Sequence, residues 1–437
     1  MRGWLLLFCC ASLSAQNFRV HTLPFVTANG EGARKYMPGT MAGGIAALDF
    51  DGDGRKDLLL VNGAELPSLR KTGVEFHHKL LRNKGGFAFE DVTAGSGIAQ
   101  AGYGMGAVTG DVDGDGREDF VLLGVGFADV YRNLGGGKFA QTRLRNTGEW
   151  AYTGALGDFD GDGDLDLFIV NYVGWTAAKD PPCKVEGKAD YCHPRYYPSR
   201  PNQLWENDGK GNFRDVSMAS GIGQHKGKGM GVAVADFNGD GRLDLFVTND
   251  RELNFLFWNE GKLRFREDAF GWGVAVPADG KSPSAMGAAA KDFDGDGRID
   301  LIYTALKEET FPVYRNTGKE FVDAGRMTGL AGLTRKMSGW GVLWEDFDGD
   351  GKRDLFIARS DALSPLGGRG EAAKERLSVL RLREEGRYEM GPEIDAPAAM
   401  YRWAVAADFN GDGCLDVAVT ALNAAALMLE NLCEVRR

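Results

Sequence analysis

The chain has 437 residues, with 51 Lys and Arg against 62 Asp and Glu, 63 glycines and 43% hydrophobic residues. That apolar fraction is enough for a full core and excludes intrinsic disorder, while the glycines lack the three-residue period of collagen. A net charge of −11 with no basic cluster excludes nucleic acid as the main partner, because phosphate neutralisation requires a basic surface.

Residues 1–15 read as a secretory signal peptide: Arg2, an apolar stretch from Trp4 to Leu13, and a small-residue exit at Ser14-Ala15. Lipidation at Cys9 is disfavoured by bulky Phe8 before it. No later apolar run approaches the roughly 18 residues of a membrane span. The expectation is a secreted or periplasmic protein, with residues 16–437 forming one domain. The four cysteines that remain are an even number in an oxidising compartment, where disulfides are the default.

The first repeated element starts at Asp49. Its ligand positions 1, 3, 5 and 9 are Asp49, Asp51, Asp53 and Asp57, and the pattern returns six times. The second and third copies hold Asp111, Asp113, Asp115 and Asp119, then Asp158, Asp160, Asp162 and Asp166. The fourth and fifth hold Asp236, Asn238, Asp240 and Asp244, then Asp292, Asp294, Asp296 and Asp300. The sixth and seventh hold Asp346, Asp348, Asp350 and Asp354, then Asp408, Asn410, Asp412 and Asp416. Oxygens at positions 1, 3 and 5 converge, Gly at position 6 permits the sharp turn, position 7 offers a carbonyl and position 9 closes the cage. Calcium suits such a flexible oxygen set better than magnesium, which demands stricter octahedral geometry, so up to seven Ca2+ ions are expected. Plain acidic turns would constrain only a dipeptide. An EF-hand would need a twelfth-position Glu and flanking helices, whereas short apolar runs such as Ile45 to Leu48 flank these loops.

Charge supports cation binding. Of the 62 acids, 26 are loop aspartates, leaving 36 against 50 basic residues once Arg2 departs with the leader. Seven divalent ions would move the mature charge from −12 to about +2.

Loop starts are 47 to 78 residues apart, the size of a unit that buries its faces only by stacking on neighbours. A small-residue strand precedes each loop, as in Met230 to Ala235, and an apolar strand follows, as in Leu245 to Thr248. A third strand ends in Asn (Leu256 to Asn259), and a fourth begins near Phe265. Small residues suit the crowded position nearest a central axis, and radial four-stranded sheets limit exposed edges. The fold class is therefore all-β, a seven-bladed propeller of four-stranded blades. Six residues before the loops, Met105, Tyr152, Met230, Met286 and Trp340 are expected to line one mouth of the channel, with Gly43 and Arg402 at the equivalent places of the first and last units. A copper or haem role for these methionines is disfavoured, because Met at such positions is usually packing material.

Two insertions interrupt the pattern. In Pro67 to Lys79, His77 and His78 read as lone surface histidines. Residues 174–200 carry Cys183, Cys192 and the aromatics Trp175, Tyr191, Tyr196 and Tyr197. A Cys183–Cys192 disulfide is the favoured reading, against zinc held by both cysteines and His193. The aromatics form either a buried cluster under a long loop or a ligand platform. In the sixth unit, Val379 to Glu385 replaces the Asn-Gly turn, so that blade is expected to be irregular.

The last unit stops after three strands, and an N-terminal segment, Phe25 to Thr27 or Phe18 to His21, supplies the missing one. A hairpin turning near Leu422 to Ala424 brings Cys414 opposite Cys433, and a second disulfide is expected there.

The repeated Asp-Phe-Asp-Gly-Asp-Gly-x-x-Asp-Leu, together with Tyr131 to Gly135 and Tyr314 to Gly318, resembles the FG-GAP/VCBS calcium-binding propeller repeat, in particular the cartilage acidic protein-like ASPIC/UnbV group. The resemblance covers nearly the whole mature chain. Members often carry a further C-terminal domain, and this chain is expected to lack it. A non-catalytic scaffold for a protein or matrix partner is expected; the alternative is a carbohydrate-binding propeller using the insertion aromatics on an extracellular glycan. A polysaccharide lyase or hydrolase ranks below both, with His193, Arg195, Tyr196 and Arg200 as its compact set of acid–base groups. No nucleophile elbow, phosphate loop or zinc-protease motif is present.

Overall fold

Alternating short strands and glycine turns resolve, in a computed structural model, into seven four-stranded antiparallel sheets. The structure describes residues 18–433 apart from 146, 148 and 363–372, so the leader expectation lies outside the described residues. Blade four is representative: Gly229–Ala235, Asp244–Asn249, Phe255–Asn259 and Phe265–Glu267, paired in that order. Each innermost strand touches the innermost strands of both neighbouring blades, and the last blade touches the first, so the sheets form a closed ring.

Small residues make this contact possible. The amide of Gly287 donates to Trp340 O of the next blade at 3.0 Å, and that of Gly44 to Met105 O at 2.9 Å. A Cβ on Gly287 would stand 2.3 Å from the same Trp340 oxygen, so only glycine lets the inner strands meet.

The seventh blade is built from both ends of the described chain. Phe18–Val26 pairs antiparallel with Ala425–Asn431, bringing Phe18 opposite Asn431 and Thr22 opposite Leu427. Both N-terminal segments considered from the sequence belong to this single strand. The adjoining hairpin places Val417 opposite Leu429, turns at Asn423, and carries the expected Cys414–Cys433 disulfide. Blade six keeps four strands, ending in Ser378–Leu382 and Tyr388–Met390, so the strand irregularity expected there is corrected: the ladder forms without the Asn-Gly turn.

Because each sheet is an antiparallel meander, the Asp loops and the third-to-fourth-strand turns share one face of the ring. The second-to-third-strand links and the blade connections share the other. On that second face a buried cluster joins Met37 and Met41 of the N-terminal connection, Cys192 and Tyr197 of the insertion, and Met105, Tyr152, Met230, Met286 and Trp340 from the inner strands. The channel-mouth expectation for these residues holds, with a cap packed over them. His78 is fully buried and its Nδ1 accepts from the Asn62 amide at 2.9 Å, which corrects its reading as a surface histidine.

Candidate functional site

Each Asp loop is assembled by its own backbone. In all seven, the amide of the position-6 glycine donates to the position-1 carboxylate, at 2.7 to 3.1 Å. Those glycines have φ between +83° and +97°, a region closed to most side chains. The turn draws acids together: Asp49, Asp51 and Asp53 can each bring one carboxylate oxygen within 4.8 Å of the others. The same holds for Asp111, Asp113 and Asp115, for Asp158, Asp160 and Asp162, and for Asp292, Asp294 and Asp296. In loop six the converging set is Asp346, Asp348 and Asp354, and Asp350 instead pairs with Lys352 at 3.1 Å. These clusters have the chemistry to hold a hard cation.

The remaining loops differ at position 3. Asn238 donates its amide to Asp240 at 3.0 Å, and Asn410 donates to Asp412 at 2.8 Å, while Asp236 and Asp408 keep the position-1 role and Asp244 and Asp416 position 9. An oxygen ligand from either Asn requires its amide to turn over.

Position 9 behaves unlike the others. Asp57, Asp119, Asp166, Asp244, Asp300, Asp354 and Asp416 are all at most 1% exposed. In six of them one oxygen accepts from the position-2 amide and the other from the amide of the third strand's terminal Asn, as Asp119 does with Val112 (2.9 Å) and Asn133 (2.6 Å). Burial pushes these carboxyls up to about 7 in Asp57, Asp166, Asp244, Asp300 and Asp354, and to about 6 in Asp119 and Asp416, against the opposing backbone hydrogen bonds. Asp354 retains one buried oxygen without a partner, and that residue joins the acid cluster of its loop.

Two features of these loops were not read from the sequence. The first is a basic counterweight: Arg82 lies 2.8 Å from Asp51, Arg315 2.5 Å from Asp294, and Arg381 3.5 Å from Asp348. Arg82 and Arg315 stand immediately before the recurrent Asn, where that offset was the available signal. Loop three has Glu206 there and Asp164 at position 7, and its Asp158, Asp160, Asp162 and Asp164 make no ion pair among the described residues. Burial and then Asp162 push the Asp160 carboxyl above its ordinary range. The second is a latch between blades. The Nδ2 of Asn133 donates to Phe50 O of the preceding blade at 2.8 Å, and Asn83, Asn207, Asn259, Asn316 and Asn431 repeat this contact.

The insertion bears the expected Cys183–Cys192 disulfide, so its cysteines are not zinc ligands. Trp175 Nε1 and the Tyr197 hydroxyl both donate to buried Asp180, at 2.6 and 2.9 Å. Tyr191 and Tyr197 are buried, and Tyr196 is 54% exposed. Of the two readings of these aromatics, Trp175, Tyr191 and Tyr197 follow the buried cluster, with the polar ends of Trp175 and Tyr197 satisfied inward, while Tyr196 stays exposed. His193, Arg195 and Tyr196 interact locally, while Arg200 leaves them to pair with Glu149 at 2.8 Å.

The FG-GAP-like repeat family matches residues 49–122, 111–169, 192–247, 236–303 and 292–357. Cartilage acidic protein 1 of Mus musculus is 26% identical over 349 residues, 77% of this chain and 50% of the relative. The Homo sapiens protein is 25% identical over 77% of this chain and 49% of its own length. The chain thus spans about half the length of the curated relatives it matches. A solved structure, "YCF48 bound to D1 peptide", shares the fold alone, at 10% identity and a TM-score of 0.51 over 97% of each chain. With its Asp loops, its closed ring and these matches, the chain belongs to the FG-GAP-like repeat family, as a propeller of the cartilage acidic protein 1 type.

Proposed function

We propose that this protein is an exported, calcium-stabilised interaction scaffold without catalytic activity, formed by one propeller domain over residues 16–437. The observation that carries the reading is the convergence of three carboxylates in each of five loops on one face. Bound cations would neutralise acids that the fold otherwise crowds together, most of all in loop three. The loops would then hold the ring rigid while the opposite face, with its insertions, meets a protein or matrix partner. The two disulfides are consistent with an oxidising compartment. No helix among the described residues is long and apolar enough to cross a membrane. With its aromatic cluster turned inward, the insertion gives no support to the glycan alternative.

Native mass spectrometry in calcium should record close to seven bound ions, and three or fewer would sink the claim that every loop is filled. Each filled loop stabilises the fold by about 4 kcal/mol when free calcium exceeds Kd a thousandfold. Chelation should therefore lower the melting temperature sharply, and an unchanged melt would refute calcium stabilisation.

A further inference from the structure

On the face opposite the Asp loops, the cap leaves a cavity of about 150 Å³ over blades four to six. Its apolar wall is Met37, Met41, Met230, Met286 and Trp340, all buried. A dry cavity of about this size accommodates a benzene-sized body. Thioethers and an indole make the wall polarisable and adaptable in shape.

One charged group in this wall lacks a partner of opposite sign. Asp250 is 7% exposed, lines the cavity, and accepts a hydrogen bond from the Tyr172 hydroxyl at 2.8 Å. No cation lies within ion-pair distance of it among the described residues. The two basic residues of the lining are engaged elsewhere: Arg251 pairs with Glu309 at 3.0 Å and Lys307 with Asp361 at 2.5 Å. His193 also lines the cavity, and burial, Arg251, Arg195 and Lys228 lower its pKa, so it adds no positive charge at neutral pH. The lining therefore holds three carboxylates against two cations, and the unpaired one is the buried Asp250. A buried carboxylate is costly unless a cation or several donors satisfy it. Burial raises its pKa to about 6, opposed by the Tyr172 hydrogen bond and by the positive charges of Arg251 and Lys228.

We propose that this cavity binds a small organic ammonium with a compact apolar body, its charge against Asp250 and its body against the methionines and Trp340. Such a ligand supplies the direct ion pair that Asp250 lacks, since Arg251 and Lys228 act on it only from a distance while paired to Glu309 and Glu252, and it fills the apolar space at once. The site lies on the face opposite the Asp loops and shares no residue with them.

The test is isothermal titration of the full chain in saturating calcium with benzylammonium and with benzyl alcohol, its neutral counterpart. Saturable benzylammonium binding is expected, with benzyl alcohol much weaker. Asp250→Asn keeps an acceptor for Tyr172 but removes the charge, and should weaken benzylammonium binding by about tenfold or more while leaving benzyl alcohol unchanged. Leu306→Trp, which fills the cavity from its wall, should abolish binding of both probes. Thermal melts of each variant verify folding. The proposal is overturned if the folded wild type shows no saturable benzylammonium binding, if benzyl alcohol binds equally well, or if folded Asp250→Asn binds the cation as the wild type does.

Discussion

At the residue scale, identical amino acids have opposite roles according to what surrounds them. Gly287 and Gly332 are indistinguishable in composition, yet a Cβ at 287 meets the Trp340 carbonyl at 2.3 Å and one at 332 meets nothing within 4 Å. Gly287→Ala must push neighbouring inner strands apart and strain the amide bond that joins them, at a cost of about 1–3 kcal/mol. Gly332→Ala, in the short helix Leu330–Thr334, should be neutral or slightly stabilising, because alanine restricts the unfolded chain. Denaturant unfolding at fixed calcium checks both, and equal effects would contradict the inter-blade contact. Aspartates divide in the same way. In four loops positions 1, 3 and 5 gather around a shared point, whereas position 9 is buried and, outside loop six, holds two backbone amides of its own blade. A spacing rule that treats all four as equivalent ligands misses this second duty.

At the element scale, the recurrent Asn closing the third strand joins two blades and a turn. Asn316 donates to Phe237 O at 2.7 Å and Ile299 O at 3.1 Å, and its Oδ1 accepts from the Gly318 amide at 2.8 Å. Asn316→Ala leaves buried carbonyls without donors and should destabilise the protein by about 2–3 kcal/mol. Exposed Asn212→Ala serves as the control and should stay within about 0.5 kcal/mol in the same denaturation series. Matching losses in the two variants would refute the latch. Blade six has buried Leu382 at this place, and its amide alone reaches Asp354 at 3.0 Å. Strand pairing there is intact, since ladder hydrogen bonds need no particular side chain. What blade six lacks is the side-chain bond to blade five.

For the whole molecule, closure of the ring rests on the seventh blade, where the N-terminal strand meets the C-terminal hairpin. The Cys414–Cys433 bond closes a loop with a separation of 19 residues beside that seam. Loop-closure entropy gives such a bond about 3 kcal/mol. Replacing both cysteines with serine should lower the melting temperature in calcium, and an unchanged melt would mean that strand pairing alone secures the seam.

The Asp loops, the four-strand repeat and both disulfide pairings were legible in the chain, because ligand spacing, turn chemistry and strand alternation are local properties with fixed periods. The N-terminal strand could be placed because one unit lacked its fourth strand. The blade latches, the strand-three arginines over the loops, the burial of His78 and the inward turn of Tyr191 and Tyr197 depended on which distant residues the closed ring brings together. Asp250 is the clearest case. Nothing in the letters around it marks a site; Tyr172, Lys307 and the capping methionines come from other blades and from the cap. Local chemistry repeats along a chain and can be counted there, whereas desolvation and charge balance belong to a volume, and that volume exists only once the ring has closed.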